Sequence, residues 1–263
     1  MTDRAITPTA PDSSSAQVED VLAAVDIATE AGRRLLAHRA ALGDPGADPA
    51  QIKAAGDRLS HEFIVAALAD RFPHDSVLSE EGADDRTRLT ADRVWIVDPL
   101  DGTREFGEQG RTDWAVHVAL LDRGRLTAGA VALPALGVTH STGDAPTAPA
   151  PRRRVPRAVV SRTRRPEPVM AMAAALGAEL VEMGSAGAKA MAVVRGEVEI
   201  YAHAGGQYEW DSAAPVAVAR AAGLHVSRID GSELVYNQEN PWLPDLLICR
   251  PEWAGTALEV LAR

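Results

Sequence analysis

The chain has one cysteine, Cys249, among 263 residues, so no disulfide can form within it. That usage fits a reducing compartment, and the expectation is a cytoplasmic protein. Cys249 lies in the apolar run 246–249 and reads as a buried small hydrophobe. No apolar stretch approaches the roughly 20 residues that span a bilayer, so no membrane partner is expected. Positions 1–16 are polar, rich in Pro and Ser, and lack a signal-peptide core; they read as a disordered lead-in. Basic residues are in deficit, with 27 Lys and Arg against 37 Asp and Glu, a formal net charge of -10. Nucleic-acid polymers are poor partners for such a surface. A small phosphate ester held through bound cations is still allowed. Aromatic residues make up only 4%, and Trp95, Trp114 and Trp210 read as packing rather than as platforms for substrate. His38, His61, His74 and His117 show no metal-ligand spacing and read as structural or solvated.

What is present is enough apolar material, 46% of the chain, for one large domain or two modest ones sharing a core. A helical period links Val18, Val21, Leu22, Val25, Leu35 and Leu36. A loop is expected over 43–49. A second helix is expected from near Asp57 through Leu68, ended by Phe72-Pro73. Val77-Leu78 reads as a short strand leading to Glu80, and 94–97 as a buried one. Runs 115–121 and 126–133 flank Asp122-Arg123-Gly124, a hairpin signal. The stretch 143–156, rich in Ala, Pro and Arg, reads as a linker between an α+β subdomain over 17–142 and an α/β subdomain over 157–263. In the second half strand-like and helix-like segments alternate, which predicts mixed α/β layers.

The richest segment is Trp95-Ile96-Val97-Asp98-Pro99-Leu100-Asp101-Gly102-Thr103. A strand ends at Asp98-Pro99 and turns at Gly102, so two carboxylates leave its end together with a carbonyl between them and a hydroxyl behind. Carboxylates this close repel unless a cation sits between them. Hard divalent cations take oxygen ligands of these kinds, and the N–H groups after Asp101 suit an anion. The turn thus reads as a metal site and a phosphate site in one.

Two further segments fit it: Leu78-Ser79-Glu80-Glu81-Gly82, and Glu209-Trp210-Asp211-Ser212-Ala213-Ala214-Pro215. The ordered set resembles the magnesium-dependent, lithium-sensitive phosphomonoesterase superfamily. That superfamily holds inositol monophosphatases, fructose-1,6-bisphosphatases and 3'-phosphoadenosine 5'-phosphate phosphatases. The resemblance implies a layered α-β-α-β-α sandwich of two subdomains and two or three Mg²⁺ ions per site. Asp98 would bridge two metals, which Asp101 and Asp211 complete on one side and Glu80 and the Leu100 carbonyl on the other. Thr103 would orient the attacking water with Asp57 as its acidic partner, although Lys53-Ala54-Ala55-Gly56-Asp57 departs from the usual flanks. Phosphate would sit on Asp101, Gly102 and Thr103. Glu81 reads as an outer neighbour or a solvated acid, Asp84 and Asp85 as surface acids, and Asp113 as a turn or capping residue as readily as a catalytic one. All-oxygen ligands without a His/Cys cluster favour Mg²⁺.

The stretches Gly184-Ser185-Ala186-Gly187-Ala188-Lys189-Ala190 and Tyr201-Ala202-His203-Ala204-Gly205-Gly206, with Asp113-Trp114-Ala115-Val116-His117, look like the CysQ-type branch. That branch removes the 3'-phosphate of 3'-phosphoadenosine 5'-phosphate in sulfur assimilation. Ser161, Arg162, Ser185, Lys189, His203 and Gly206 are then the nucleotide-side residues, and Arg162, Arg164 and Arg165 could meet the 5'-phosphate. A basic surface loop accounts equally for the last two arginines, and a helix cap for Ser185. Inositol-1-phosphate or fructose-1,6-bisphosphate hydrolysis, or a broad enzyme, uses the same metal motifs. A non-catalytic nucleotide sensor is the reading from another class. A homodimer is compatible with the chain.

Overall fold

A computed structural model describes residues 13–43, 46–146 and 154–262. Two five-stranded sheets carry the fold. The first runs β1-β2-β3-β4-β5, formed by β1 (Ser76–Ser79), β2 (Arg93–Asp101), β3 (Ala115–Asp122), β4 (Arg125–Leu133) and β5 (Val138–Ser141). Only β1 and β2 in it are parallel. The second runs β7-β6-β8-β10-β9, from β6 (Arg157–Ser161), β7 (Glu179–Met183), β8 (Ile200–Tyr208), β9 (His225–Ser227) and β10 (Trp242–Cys249).

Strand alternation explains the layering. In β2, Trp95 and Val97 face one way, onto helices α1 (Ser13–Arg39) and α2 (Pro49–Arg71), and the one-turn helix α3 (Thr103–Phe106) follows the strand. Val94 and Ile96 face the other, onto α5 (Ala186–Val194) and α6 (Glu209–Ala221), which also meet Tyr201, Leu246 and Ile248 of the second sheet. Ala202, Leu247 and Cys249 point outward onto α4 (Glu167–Ala175) and α7 (Pro251–Leu261). The result is the expected α-β-α-β-α sandwich. Helices α5 and α6 are apolar or small nearly all round because they are covered by sheets on both sides. No described helix is long and apolar enough to cross a membrane. Cys249 is buried and free, as its apolar run implies.

Three boundaries differ from expectation. Helix α2 begins at Pro49, not near Asp57, because Asp48 caps it by accepting the Ala50 N–H at 2.9 Å and Pro49 fits the first helical position. Gly56 argues against a helix interior by propensity, but a Cβ there would lie 2.9 Å from the Phe106 ring, so close packing requires it. Strand β10 begins at Trp242 rather than 246. Helix α1 already covers positions 13–16 of the expected lead-in; positions 1–12, and 147–153 of the expected linker, lie outside the described residues.

Candidate active site

The site is made by an irregularity in β2. Asp98 pairs with His117 and Asp101 with Ala115, so β2 carries one more residue than β3 across this gap. Pro99 has no N–H to offer the ladder there. In a regular strand, residues three apart face opposite ways; a bulge brings their side chains to one side. Oxygens of Asp98, Asp101 and Asp211 accordingly lie within 4.8 Å of one another. Asp98 and Asp101 are buried, and Asp211 comes from the first turn of α6, where it accepts the Tyr208 N–H at 2.6 Å.

The three acids are not equivalent. Burial and the facing Asp101, Glu80 and Asp211 hold the Asp98 carboxyl well above the usual carboxylate range. Burial and Asp101 push Asp211 up to about 6. Burial would raise Asp101 too, but His117, Lys189 and Ser185 outweigh it and bring it down to about 2. Glu80 follows β1 and flanks the cluster; its carboxyl meets Asp98, and burial with Asp211 pushes it up to about 7. The oxygens that Asp98, Asp101 and Asp211 bring together are all carboxylate, a set that fits a hard divalent ion.

Asp101 is the best held. It accepts from the Ser185 hydroxyl at 2.5 Å, the Ala186 N–H at 3.0 Å and the Gly187 N–H at 2.6 Å. The anion that the N-terminus of α5 binds is therefore the protein's own carboxylate. A Cβ at Gly187 would lie 2.1 Å from His117 Nε2, so glycine lets the imidazole in. His117 is fully buried, with Nδ1 3.0 Å from the Trp210 carbonyl and Nε2 3.2 Å from Asp101 Oδ2. The carbonyl can only accept, so Nδ1 carries a proton, and Nε2 faces a carboxylate. Burial opposes the imidazolium, but Asp101 and the Trp210 carbonyl prevail and hold its pKa above the ordinary value.

Thr103 Oγ1 lies 3.1 Å from the Leu100 carbonyl and 3.5 Å from Asp57 Oδ1. Asp57, on α2, is pushed up to about 6 by burial and by Glu81, against the pull of Thr103 and Lys53. Ser60 on the same helix donates to the Pro99 carbonyl at 2.7 Å and pins the bulge.

Beside the acids opens a cavity of about 490 Å³, of the size that small ligands fill. Ser161, Arg162, Ser185, Lys189, His203 and Gly206 all line it, together with Asp101, Gly102 and Asp211. Several are already engaged. Lys189 Nζ donates to the Gly184 and Ser185 carbonyls at 3.0 and 2.6 Å. Arg162 lies 2.8 Å from Glu105 and 3.0 Å from Glu108. Arg165 pairs with Glu182, whereas Arg164 borders the cavity. His203 Nε2 donates to the Gly206 carbonyl at 2.9 Å. Asp113 accepts from the Gly184 N–H at 2.6 Å and pairs with Arg111, a turn-fixing role. Sequence reading passed over Arg104, Tyr201, Gln207 and Tyr208, which also line the cavity. It also gave His117 no part beside Asp101, because the register that aligns them is set by a bulge and not by spacing.

The model of the inositol monophosphatase family matches residues 15–260. A 3'-phosphoadenosine 5'-phosphate phosphatase of Mycobacterium leprae (strain TN) is 50% identical over 258 residues, 94% of each chain. The 3'(2'),5'-bisphosphate nucleotidase CysQ of Escherichia coli (strain K12) is 31% identical over 200 residues, 72% of this chain and 81% of that one. The solved structure of CysQ from Bacteroides thetaiotaomicron, a bacterial member of the inositol monophosphatase family, aligns with a TM-score of 0.74 at 28% identity, over 88% of this chain and 97% of that one. Motifs, layers and relatives agree: the chain belongs to the inositol monophosphatase family, whose members are metal-dependent phosphomonoesterases.

Proposed function

We propose that this chain is a Mg²⁺-dependent phosphatase that removes the 3'-phosphate of 3'-phosphoadenosine 5'-phosphate, giving AMP and phosphate. One observation carries the reading: a single cavity is bordered both by Asp101 and Asp211 of the acid cluster and by the cations Arg104, Arg162, Arg164 and Lys189. The acids suit one phosphate through bound cations, and the arginines suit a second phosphate directly. The names of the 50% identical relatives support the same substrate.

Asp98, Asp101, Asp211, Glu80 and the Leu100 carbonyl would hold the ions. Such ions would supply charge neutralisation at the phosphoryl oxygens and lower the pKa of water. Thr103 orients the attacking water and Asp57, mostly ionised at neutral pH, draws its proton through the Thr103 hydroxyl. The N–H groups of Gly102 and Thr103 receive the phosphate oxygens. Water attacks phosphorus, the bond to the 3'-oxygen breaks, and that oxygen leaves as the alcohol after taking a proton. Ser161, Ser185, His203 and Gly206 border the nucleoside.

The test is phosphate release with Mg²⁺ from 3'-phosphoadenosine 5'-phosphate, inositol-1-phosphate and fructose-1,6-bisphosphate, compared by kcat/KM. A preference of at least about 100-fold for the nucleotide is expected, since buried polar groups discriminate strongly. Equal or faster hydrolysis of either competitor overturns the substrate assignment and leaves the metal chemistry standing.

A further inference from the structure

The cavity wall contains a side chain with no use inside the protein. Gln207 lines the cavity and is only 7% exposed. Neither Oε1 nor Nε2 of its amide has a hydrogen-bond partner. Buried amides are nearly always paired, so each exception calls for an explanation. The surrounding polar groups do not supply one. Lys189 is committed to two backbone carbonyls, His203 to the Gly206 carbonyl, and Asp211 to the Tyr208 N–H. The Tyr201 hydroxyl, on the same strand and the same cavity, is likewise buried and unpaired. Strand β8 bulges here: Leu243 pairs with Gln207 and Asp245 with Ala204, with Gly205 and Gly206 at φ 99° and 89°. The alternation of a regular strand is broken, and Gly206, Gln207 and Tyr208 all border the cavity.

We propose that Gln207 is a specificity-determining residue that reads the base of the nucleotide, with its amide oxygen accepting from a purine amino group and its amide nitrogen donating to the adjacent ring nitrogen. A carboxamide presents an acceptor and a donor side by side, and adenine presents their complements in the same spacing, which is why glutamine pairs with it in two bonds. A sugar or inositol phosphate offers hydroxyls but no such edge. This inference rests on the nucleotide reading above and extends it to the base.

The test compares 3'-phosphoadenosine 5'-phosphate with its analogue whose purine lacks the 6-amino group, using the full chain with Mg²⁺. Wild type should prefer the amino-bearing nucleotide by about 10-fold or more. Gln207→Met fills a similar volume without polar atoms. It should abolish that preference through KM, with kcat nearly unchanged, and should melt no lower than wild type. Gln207→Glu keeps an acceptor for the amino group and loses the donor. It should raise KM for both nucleotides while retaining the preference, and it serves as the second arm if the methionine variant folds poorly. A preference that survives in Gln207→Met, or KM values untouched in Gln207→Glu, overturns the role of Gln207. Failure of wild type to hydrolyse the adenine nucleotide at all would instead bring down the nucleotide reading itself, and this inference with it.

Discussion

Glu209 and Asp211 stand two positions apart at the start of α6 and live in opposite surroundings. Burial pushes both carboxyls up; what faces them differs. Glu209 accepts the Asn237 and Gln238 N–H groups at 2.6 and 2.8 Å. The same loop receives Arg88, which is fully buried and donates to Asp84 at 2.6 Å, to Asn237 Oδ1 at 2.7 Å and to the Gln238 carbonyl at 3.1 Å. Asp211 faces Asp98 and Asp101 instead. In the first cluster every buried group has a partner of opposite character within the chain, and it acts as scaffold. In the second, three carboxyls are brought face to face by the fold, an arrangement that fits an added cation. Charge count does not separate them; compensation does.

Substitution at each cluster should therefore have opposite consequences. Asp98→Asn removes one of the facing charges and keeps the oxygen that accepts the Leu100 N–H at 3.0 Å. Turnover should fall by about three orders of magnitude or more. The metal-free protein should melt higher, by roughly 2–4 °C for each kcal/mol of repulsion relieved. Near wild-type activity at saturating Mg²⁺ would end the ligand assignment, and a lower melting temperature would show that the acids are not strained against one another. Arg88→Met breaks the compensated cluster by leaving Asp84, Asn237 and the Gln238 carbonyl without their donor. Urea denaturation should show a loss of about 1–3 kcal/mol, the cost of lost hydrogen bonds at half-buried Asn237 and of the packing around buried Arg88, since Asp84 itself is solvent-exposed. Activity per folded molecule should change far less than in Asp98→Asn. A variant as stable as wild type would remove Arg88 from the scaffold.

The smallest effect is on pH. Asp211 and Glu80 are held near 6 and near 7 in the folded chain, above ordinary carboxylates. They bind protons more tightly folded than unfolded. Their stabilising contribution is complete below about pH 4 and is lost as pH rises through 6 and 7. Asp101, held near 2, contributes oppositely, but that term is already constant above about pH 5. Thermal melts of metal-free protein should thus drop between pH 5 and 8, and millimolar Mg²⁺ at pH 8 should reverse the drop by binding the folded state alone. A slope identical with and without Mg²⁺ would contradict this.

What the sequence made legible is what is local. Asp98 and Asp101 share one turn, and the Asp211 and Glu80 segments repeat a recognisable order, so the acids could be named without coordinates. The layers followed from alternation in 94–97 and from the apolar helices. Three things resisted. Asp48-Pro49 begins α2, yet Gly56 disguised the continuity because its partner, Phe106, lies fifty residues on. His117 meets Asp101 only through the β2 bulge, and a register shift has no fixed spacing. Arg88 and Asn237 lie 149 positions apart, a separation at which pattern reading has no reach.

The inner helices have a further consequence. They are built largely from alanine and valine, and they are covered by sheet on both sides. Ala217 of α6 comes so near β4 that a single methyl on Gly129 would sit 2.7 Å from it. This layer acts as a shim of fixed thickness. It sets how far apart the two sheets stand, and so how wide the mouth between them opens, with no slack for a bulkier residue. New substrate preferences in this scaffold are therefore to be sought at the rim, in segments such as 161–164 and 205–208, while the shim keeps the gape constant.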